Sequence, residues 1–435
     1  MLSMAAKSKW WNGCGCLPQS RGRHYRPFGP CRQLENRPFH RPTCSMTPPR
    51  HLLTVGASAR AAAQSAQRAG FAVTAIDLFA DEDLTECATA IRSENYPADL
   101  VHLAATAPSG PWMYTGGLEN HPRIVAEIAA RRPLWGNDAA VLRRVRNPRQ
   151  VHAVLAKRGL PALDVTLDPT DVPRDGTWLA KPLNGSGGKH IHPLDDRSPA
   201  LQPTRRDEKR KNAGWYFQRR QPGLPASAIF LGHKRRGRLL GVSEQLVGQP
   251  WCIGSPFQYA GSICPLLHDD LGDDDFHAQL RELGDTLAGE FGLVGLFGVD
   301  GIIHDRRFWP VEVNPRYTAS CEVCERLTGL NMVSLHARAC HENLPLSDLE
   351  PRWPGCVGKL IVYARRDGEF ADRSAAWVRN LNAGQSACRV ADIPRVGTVF
   401  QSGDPIATLL AHGDAPQKLR DRLATLADEL RDQLV

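Results

Sequence analysis

Alternating runs of apolar and polar residues predict a succession of strands and helices after residue 46. Residues 51–59 (HLLTVGASA) are typical of a buried strand, and the alanine-rich segment 60–70 predicts a helix that ends at a glycine. Further apolar runs at 71–79 and 98–106 predict a second and a third strand. Strands that alternate with helices indicate a parallel sheet, which binds ligands near the carboxyl ends of its strands.

The middle and the end of the chain follow other patterns. A strand–loop–strand unit is expected at 177–195, and two further strands are expected at 226–232 and 238–247. A helix at 276–290 then leads to a long hairpin at 294–315. Two helices are predicted next, at 320–328 and 331–342, and short strands with Gly/Pro turns over 356–412. The chain closes on leucines spaced three or four apart, which predicts an amphipathic helix: Leu419, Leu423, Leu426, Leu430 and Leu434.

Charge divides the chain unequally. The formal net charge is +8, but residues 1–45 hold eight Lys/Arg and a single acid, so the folded part is almost neutral. Five prolines and the lack of a hydrophobic period in 1–45 indicate a disordered extension, or sequence upstream of a start at Met46 that is not translated. A nucleic-acid-binding arm is the alternative for 1–45, whereas the folded part is not expected to bind nucleic acid.

Apolar runs and cysteines indicate the cellular setting. No run of 18 apolar residues is present, which argues against a spanning helix, and no signal-peptide core is seen. Scattered cysteines in a chain of 435 residues are typical of reduced thiols, so a cytoplasmic location is expected. Cys321 and Cys324 form a CxxC pair, for which helix packing is favoured over zinc binding or redox chemistry.

A glycine-rich loop supplies the first candidate chemistry. A strand ends at Lys181, and Gly185, Ser186, Gly187 and Gly188 follow within seven residues. Backbone N–H groups of such a loop can bind phosphate oxygens, because no side chain blocks their approach. The spacing differs from that of a Walker loop, so a phosphate site is predicted but a P-loop fold is not.

The long hairpin supplies the second set of residues with candidate chemistry. Side chains alternate along a strand, so Glu312 and Asn314 share a face, and a turn at residues 305–307 sets Asp300 opposite Glu312. Two facing carboxylates repel one another unless a cation lies between them. Oxygen ligands without His or thiolate suit Mg²⁺, and Arg316 is close enough to contact a phosphate; a solvated polar face is the simpler alternative.

These motifs, in this order, resemble the ATP-grasp superfamily, which includes biotin carboxylase, D-alanine–D-alanine ligase and glutathione synthetase. The similarity is greatest to predicted ATP-dependent carboligases related to biotin carboxylase. The resemblance covers residues 50–345 and implies an α/β (α+β ATP-grasp) fold. It implies a Rossmann-like parallel sheet, an ATP-grasp domain of two α+β subdomains and a small C-terminal β module.

The resemblance also assigns roles at the nucleotide. Lys181 would contact the ATP α-phosphate, while residues 185–189 would close over the phosphates. Gln218 stands where many members have a glutamate that faces the adenine amino group. Arg219 and Arg220 would form the hinge whose backbone reads the adenine edge.

Further roles concern the metal and the transferred phosphate. Asp300, Glu312 and Asn314 would hold Mg²⁺ (or Mn²⁺), and Arg316 would meet the γ-phosphate or acyl phosphate. Arg146 stands near the place of an earlier nucleotide-binding lysine of the family and would substitute for it. Lys181 and Arg316 are thus the expected catalytic residues.

Domain boundaries follow from the elements and the resemblance together. The extension 1–45 would precede an N-terminal domain at 46–135 and an ATP-grasp domain at 136–345. A mobile lid is expected at about 176–240, and a C-terminal module at 355–435.

The resemblance implies a ligase that activates a carboxylate with ATP for attack by an amine. The alternatives are a carboxylase that uses bicarbonate, and a regulatory protein that binds ATP without turnover. Small-molecule acid and amine substrates are expected, with no membrane partner and a possible homodimer. By analogy the acid would lie near loop 108–117, where Tyr114, Thr115, Gly116 and Gly117 are candidates.

Overall fold

A computed structural model describes residues 50–195 (without the Asp171 side chain), 214–249, 256–266, 274–341, 355–384 and 387–435. The predictions for residues 1–45 lie outside these ranges. Within them, no helix is long and apolar enough to cross a membrane.

The N-terminal part forms the predicted parallel sheet. Its strands lie in the order β3-β2-β1-β4, and all of its pairings are parallel. Val55, Ala75 and Ile76 are fully buried, because helices cover the sheet. The strands are β1 (His51–Val55), β2 (Ala72–Asp77), β3 (Thr89–Arg92) and β4 (Trp112–Tyr114); the helices are α1 (Arg60–Arg68), α2 (Glu82–Thr85), α3 (Leu100–Thr106) and α4 (Pro122–Ala129).

One predicted strand is wrong. Residues 98–106 include helix α3, and the next strand of the sheet is β4. Leu100 and Ala104, four residues apart, are the buried residues of α3. The apolar run therefore has a helical period with one buried face, which a short run does not distinguish from a strand.

A second, antiparallel sheet follows helices α5 (Ala139–Val145) and α6 (Pro148–Lys157). Its strand order is β5-β8-β6-β7. It carries the glycine-rich loop between β6 and β7. The strands are β5 (Val165–Thr166), β6 (Asp175–Pro182), β7 (His192–Asp195) and β8 (Trp215–Arg219).

The largest sheet has eight strands in the order β13-β12-β9-β10-β11-β14-β18-β16, and its pairings are antiparallel. Strands from the C-terminal region thus continue the sheet that carries the long hairpin. A separate ribbon pairs β15 (Gly368–Phe370) with β17 (Thr398–Phe400). The sheet comprises β9 (Leu224–His233), β10 (Arg236–Val247), β11 (Tyr259–Cys264), β12 (Gly295–His304), β13 (Arg307–Asn314), β14 (Cys356–Tyr363), β16 (Cys388–Ala391) and β18 (Pro405–Gly413).

Helices cover this sheet. Two of them match the helices predicted at 320–328 and 331–342, and the last carries four of the five leucines of the predicted stripe, whereas Leu434 lies two residues beyond its end. Those leucines are buried against the C-terminal strands, so the stripe covers the protein's own sheet. The helices are α7 (Asp274–Phe291), α8 (Ala319–Thr328), α9 (Met332–His341), α10 (Asp372–Ala383) and α11 (Pro416–Asp432).

Candidate active site

The β12–β13 hairpin sets Asp300 directly opposite Glu312, as the sequence predicted. The predicted turn is nevertheless wrong: His304 pairs with Arg307, so the loop is the two residues Asp305 and Arg306, both with positive φ. A shift of register between residues 300 and 301 compensates for the shorter turn. Asp300 and Glu312 therefore face one another because of a β-bulge in the hairpin, which the sequence did not reveal.

Asp300 lies among amide donors. Its Oδ1 accepts a hydrogen bond of 2.9 Å from Gln245 Nε2, and its Oδ2 accepts one of 2.9 Å from Asn314 Nδ2. Burial, with Glu312 adding repulsion, raises the pKa of Asp300 to about 6. Asp300 and Asn314 were expected together, whereas Gln245 comes from β10 and was missed.

Glu312 faces cations. Arg146, at the end of α5, pairs with its Oε1. Burial alone would raise the pKa of Glu312, but Arg146 and Lys181 hold it below its ordinary value. Arg146 Nη2 also donates to Asn120 Oδ1 at 3.0 Å and to Gly185 O at 3.2 Å, while its buried Nε meets no acceptor among the described residues.

The hairpin's donor set fits Mg²⁺. Two carboxylates and the amide of Asn314 supply oxygen atoms, and a cation would offset both the burial and the repulsion from Glu312 that raise the pKa of Asp300. The part of the chain that is described holds no group of three His, Cys, Asp or Glu arranged for a metal. A cation here would thus depend on the amide and on phosphate oxygens as well as on the carboxylates.

Lys181 and Gln218 lie side by side on β6 and β8. Lys181 Nζ donates to Gln218 Oε1 at 3.0 Å, and Gln218 Nε2 donates to Val311 O at 3.4 Å. Both side chains are buried, and the ammonium group lies 5.4 Å from the Tyr216 ring centre. The sheet of β5 to β8 and the hairpin strand β13 thus meet at these two side chains.

The glycine loop lies against the body of the protein. Gly185 O accepts from Asn120 Nδ2 at 3.2 Å, and Gly187 O accepts from the Tyr259 N–H at 3.1 Å. Gly188 has φ +73°, and a Cβ there would lie 1.8 Å from Phe257 O. Only glycine allows this close approach.

Arg219 and Arg220, the predicted hinge residues, are exposed, and their backbone N–H groups already donate hydrogen bonds within the protein. The N–H of Arg219 donates to Asp164 O at 2.9 Å, and that of Arg220 donates to Thr177 O at 2.8 Å. Both residues line the main cleft.

Arg316 reaches the N-terminal domain. Its Nε and Nη2 donate to Glu119 Oε1 at 3.0 and 2.6 Å, and Nη2 also donates to Asn314 Oδ1 at 3.2 Å. Glu119 was not predicted. The signal was a carboxylate and an amide, Glu119 and Asn120, directly after the Gly116-Gly117 pair that follows β4.

A cleft of about 690 Å³ brings these groups together. It takes lining residues from the N-terminal sheet region, the sheet of β5 to β8, the hairpin and the C-terminal strands. A smaller cavity of about 60 Å³ adjoins it at Lys181 and Gln218, with Val145, Leu155, Leu163 and Val311 among its apolar lining and Arg146 and Glu312 among its polar lining. The main cleft's polar lining includes Lys181, Ser186, Gly187, Gly188, Gln218, Arg219, Arg220, Gln245, Asp300, Glu312, Asn314 and Arg316.

Two of the four residues predicted for the acid site line this cleft. Thr115 and Gly116 line it. The buried Tyr114 hydroxyl instead donates to Asn137 O and Pro315 O, at 2.7 and 3.3 Å. Gly117 has φ +101° and approaches the Tyr96 hydroxyl.

The CxxC cysteines lie in the packing of α8. Cys321 and Cys324 are fully buried, and the Cys324 thiol donates to Leu240 O at 3.6 Å. Burial raises the pKa of the Cys321 thiol to about 12. Neither cysteine lines the cleft.

A sequence model of the ATP-grasp domain matches residues 154–320. The match spans the glycine loop, the hairpin and Arg316. The chain therefore contains an ATP-grasp domain, as its motifs predicted. A search of the curated proteins finds no match.

Solved structures extend the likeness to the whole fold. The chain is similar to the biotin carboxylase domain of Hydrogenobacter thermophilus 2-oxoglutarate carboxylase, a dimer in complex with MgADP, ADP and bicarbonate (15% identity, 86% of this chain and 88% of that one, TM-score 0.65). It is also similar to L-amino acid ligase from Bacillus licheniformis (18%, 89% and 98%, 0.63). Another similar structure is N5-carboxyaminoimidazole synthase from Aspergillus clavatus with ADP and 5-aminoimidazole ribonucleotide (14%, 88% and 99%, 0.62). The protein thus has the ATP-grasp fold, with its parallel sheet at the N-terminus and antiparallel sheets elsewhere.

Proposed function

We propose that this protein is an ATP- and Mg²⁺-dependent ligase that activates a carboxylate as an acyl phosphate for attack by an amine. The observation that carries the proposal is the convergence of Lys181, Glu312, Asp300 and Arg316 on one cleft, although they come from different elements. The similarity to an L-amino acid ligase supports the same reaction class.

Each group has a role that its surroundings support. Lys181 would bind a phosphate oxygen, and its contact with Gln218 fixes its ammonium group. The smaller cavity beside Gln218 has aliphatic side chains in its lining, among them Leu155 and Leu163, that would pack against an adenine ring. Arg146, with an unpaired buried Nε, has a donor for a phosphate oxygen.

The hairpin would hold the metal and the transferred phosphoryl group. Asp300, Glu312 and Asn314 would bind Mg²⁺, which when bound neutralises the charge on the phosphate oxygens. Arg316 donates hydrogen bonds from a buried position and keeps its charge, since Glu119 opposes the effect of burial and raises its pKa. Its guanidinium would stabilise charge on the phosphoryl oxygens during transfer.

The reaction would proceed in two displacements. A carboxylate oxygen attacks the γ-phosphorus, and the bond to ADP breaks as ADP leaves with the bonding electrons. The amine nitrogen then attacks the carbonyl carbon, the C–N bond forms, and phosphate leaves with the electrons of the C–O bond. The nitrogen's surplus protons pass to solvent. No covalent bond to the protein is required.

The lid is proposed from the sheet that carries the glycine loop. Strands β5 to β8 span residues 165–219, whereas β9 and β10 belong to the large sheet. A lid of about 165–219 is therefore more consistent with the sheets than the range 176–240. The homodimer and the cytoplasmic location stay predictions.

Hydroxylamine trapping tests the function. The protein is incubated with ATP, Mg²⁺, hydroxylamine and a panel of carboxylic acids, and both ADP and hydroxamate are measured. A ligase forms hydroxamate and ADP in equal amounts with at least one acid. ADP formed with bicarbonate alone would favour the carboxylase, which the likeness to a biotin carboxylase domain supports. ATP binding without ADP from any acid would indicate the regulatory alternative.

A further inference from the structure

The side-chain carboxylate of Glu119 is buried, and only one of its two oxygen atoms accepts a hydrogen bond from a described residue. It lies in a short 3₁₀ helix, Leu118–Asn120, and is only 3% exposed. Oε1 accepts both hydrogen bonds from Arg316, at 3.0 and 2.6 Å. No donor among the described residues reaches Oε2, although that atom is buried.

The carboxylate is charged. Burial opposes ionisation, but Arg316, and to a smaller extent Arg146, hold the pKa of Glu119 below its ordinary value. A buried, ionised oxygen without a hydrogen-bond donor is unfavourable in a folded protein. The missing hydrogen bond to Oε2 is explained if a ligand supplies the donor.

The position of Glu119 shows where that ligand would lie. Glu119 lines the 690 Å³ cleft together with Arg316 and Asn314. Two small residues, Ala57 and Gly116, line the same cleft. A ligand beside the Glu119 carboxylate would therefore lie on the side of the cleft that the N-terminal sheet forms.

We propose that Glu119 Oε2 binds the protonated amino group of a substrate, so that the protein selects substrates with a primary ammonium group. This inference rests on the proposed function and identifies the substrate class for the same cleft. An anionic group is repelled by Oε2, whereas an ammonium group offers both a donor and the opposite charge. Arg316 remains directed by Oε1 towards Asn314, so ligand binding and phosphate binding use different atoms.

The substitution Glu119→Gln separates these two uses. The new side chain keeps an oxygen that accepts from Arg316, but replaces the unpaired oxygen with an NH₂ group that repels an ammonium donor. Glu325→Gln is the matched control, because Glu325 is also buried and pairs with Arg68 at 2.6 Å, but does not line the cleft.

Thermal shift titrations of the full chain measure the result. The probes are a non-hydrolysable ATP analogue with Mg²⁺, then the twenty protein amino acids in its presence, and then the N-acetyl derivative of each. The derivatives keep the carboxylate and lose the ammonium group. At least one amino acid, and not its acetylated form, should stabilise the wild-type protein and Glu325→Gln. The midpoint concentration should rise about tenfold or more in Glu119→Gln, while the nucleotide titration is unchanged.

The other outcomes separate the two hypotheses. An equal amino-acid response in wild type and Glu119→Gln, an equal response to acetylated probes, or no response to any amino acid overturns the ammonium site. In each of these cases the nucleotide response leaves the proposed function standing. A wild-type protein that the nucleotide does not stabilise overturns the proposed function and the ammonium site with it.

Discussion

Asp300→Asn should make the protein more stable at neutral pH while it removes metal-dependent turnover. The substitution keeps the shape of the side chain and deletes a charge that faces Glu312. Oδ1 and Oδ2 now accept from Gln245 and Asn314. The new amide keeps one acceptor, and the Gln245 amide can turn over to accept from the new NH₂ group.

The magnitude follows from the pKa of Asp300. Burial raises that pKa from 3.8 to about 6, so the folded protein holds the proton more tightly than the unfolded chain. Well below pH 3.8 the group is protonated in both states; between pH 3.8 and 6 only the unfolded chain ionises, so the destabilisation grows across this range and reaches about 3 kcal/mol above pH 6. With an unfolding entropy of about 2.1 cal/mol/K per residue over about 390 residues, this is a Tm difference of about 4 °C.

Thermal unfolding followed by circular dichroism at pH 4.5 and pH 7.5 measures the difference. Asp300→Asn should exceed wild type by about 4 °C at pH 7.5, and by much less at pH 4.5. Asp305→Asn is the control, since Asp305 lies at the turn of the same hairpin with 86% of its side chain exposed. Its effect should be small at both pH values, because the ion pair that it makes among the described residues, with His304, is exposed to solvent. A variant no more stable than wild type at pH 7.5 would refute the cost of ionising Asp300 in its buried position beside Glu312.

Two further substitutions test the nucleotide site. Lys181→Ala should raise the dissociation constant for ATP about tenfold or more, because a buried charged donor is lost. Calorimetric titration would measure this change. An unchanged ATP affinity would show that Lys181 is not part of the nucleotide site. Gly188→Ala should weaken nucleotide binding by a similar factor, since its Cβ would collide with Phe257 O, and strained backbone costs of order 1–3 kcal/mol. Gly187→Ala is the control for Gly188→Ala, because φ is also positive there but no atom lies within 4 Å of the added Cβ. If the two substitutions weakened nucleotide binding equally, the collision with Phe257 O would be excluded as the cause.

The hairpin shows what the sequence could predict. Alternation along two strands was sufficient to set Asp300 opposite Glu312. The turn was misjudged by one residue, and the bulge after Asp300 cancelled that error. A bulge leaves no mark in the alternation of apolar residues, so this compensation could not be predicted.

Other features depend on pairing between distant segments. The eight-stranded sheet joins β11 to β14, about a hundred residues later in the chain, and no local pattern encodes that pairing. Gln245 reaches Asp300 across the same sheet, and Glu119 reaches Arg316 from a segment almost 200 residues earlier in the chain. The motifs near Lys181 and Arg316 are local, and so the sequence revealed them first.

The most direct test of the central claim is a titration of Mn²⁺ followed by electron paramagnetic resonance, with ADP present. The account predicts that wild-type protein with ADP binds Mn²⁺ more tightly than ADP alone does. Glu312→Gln should weaken that binding about tenfold or more while the circular dichroism spectrum is unchanged. Equal Mn²⁺ affinity in wild type and Glu312→Gln would contradict a metal held by the hairpin carboxylates.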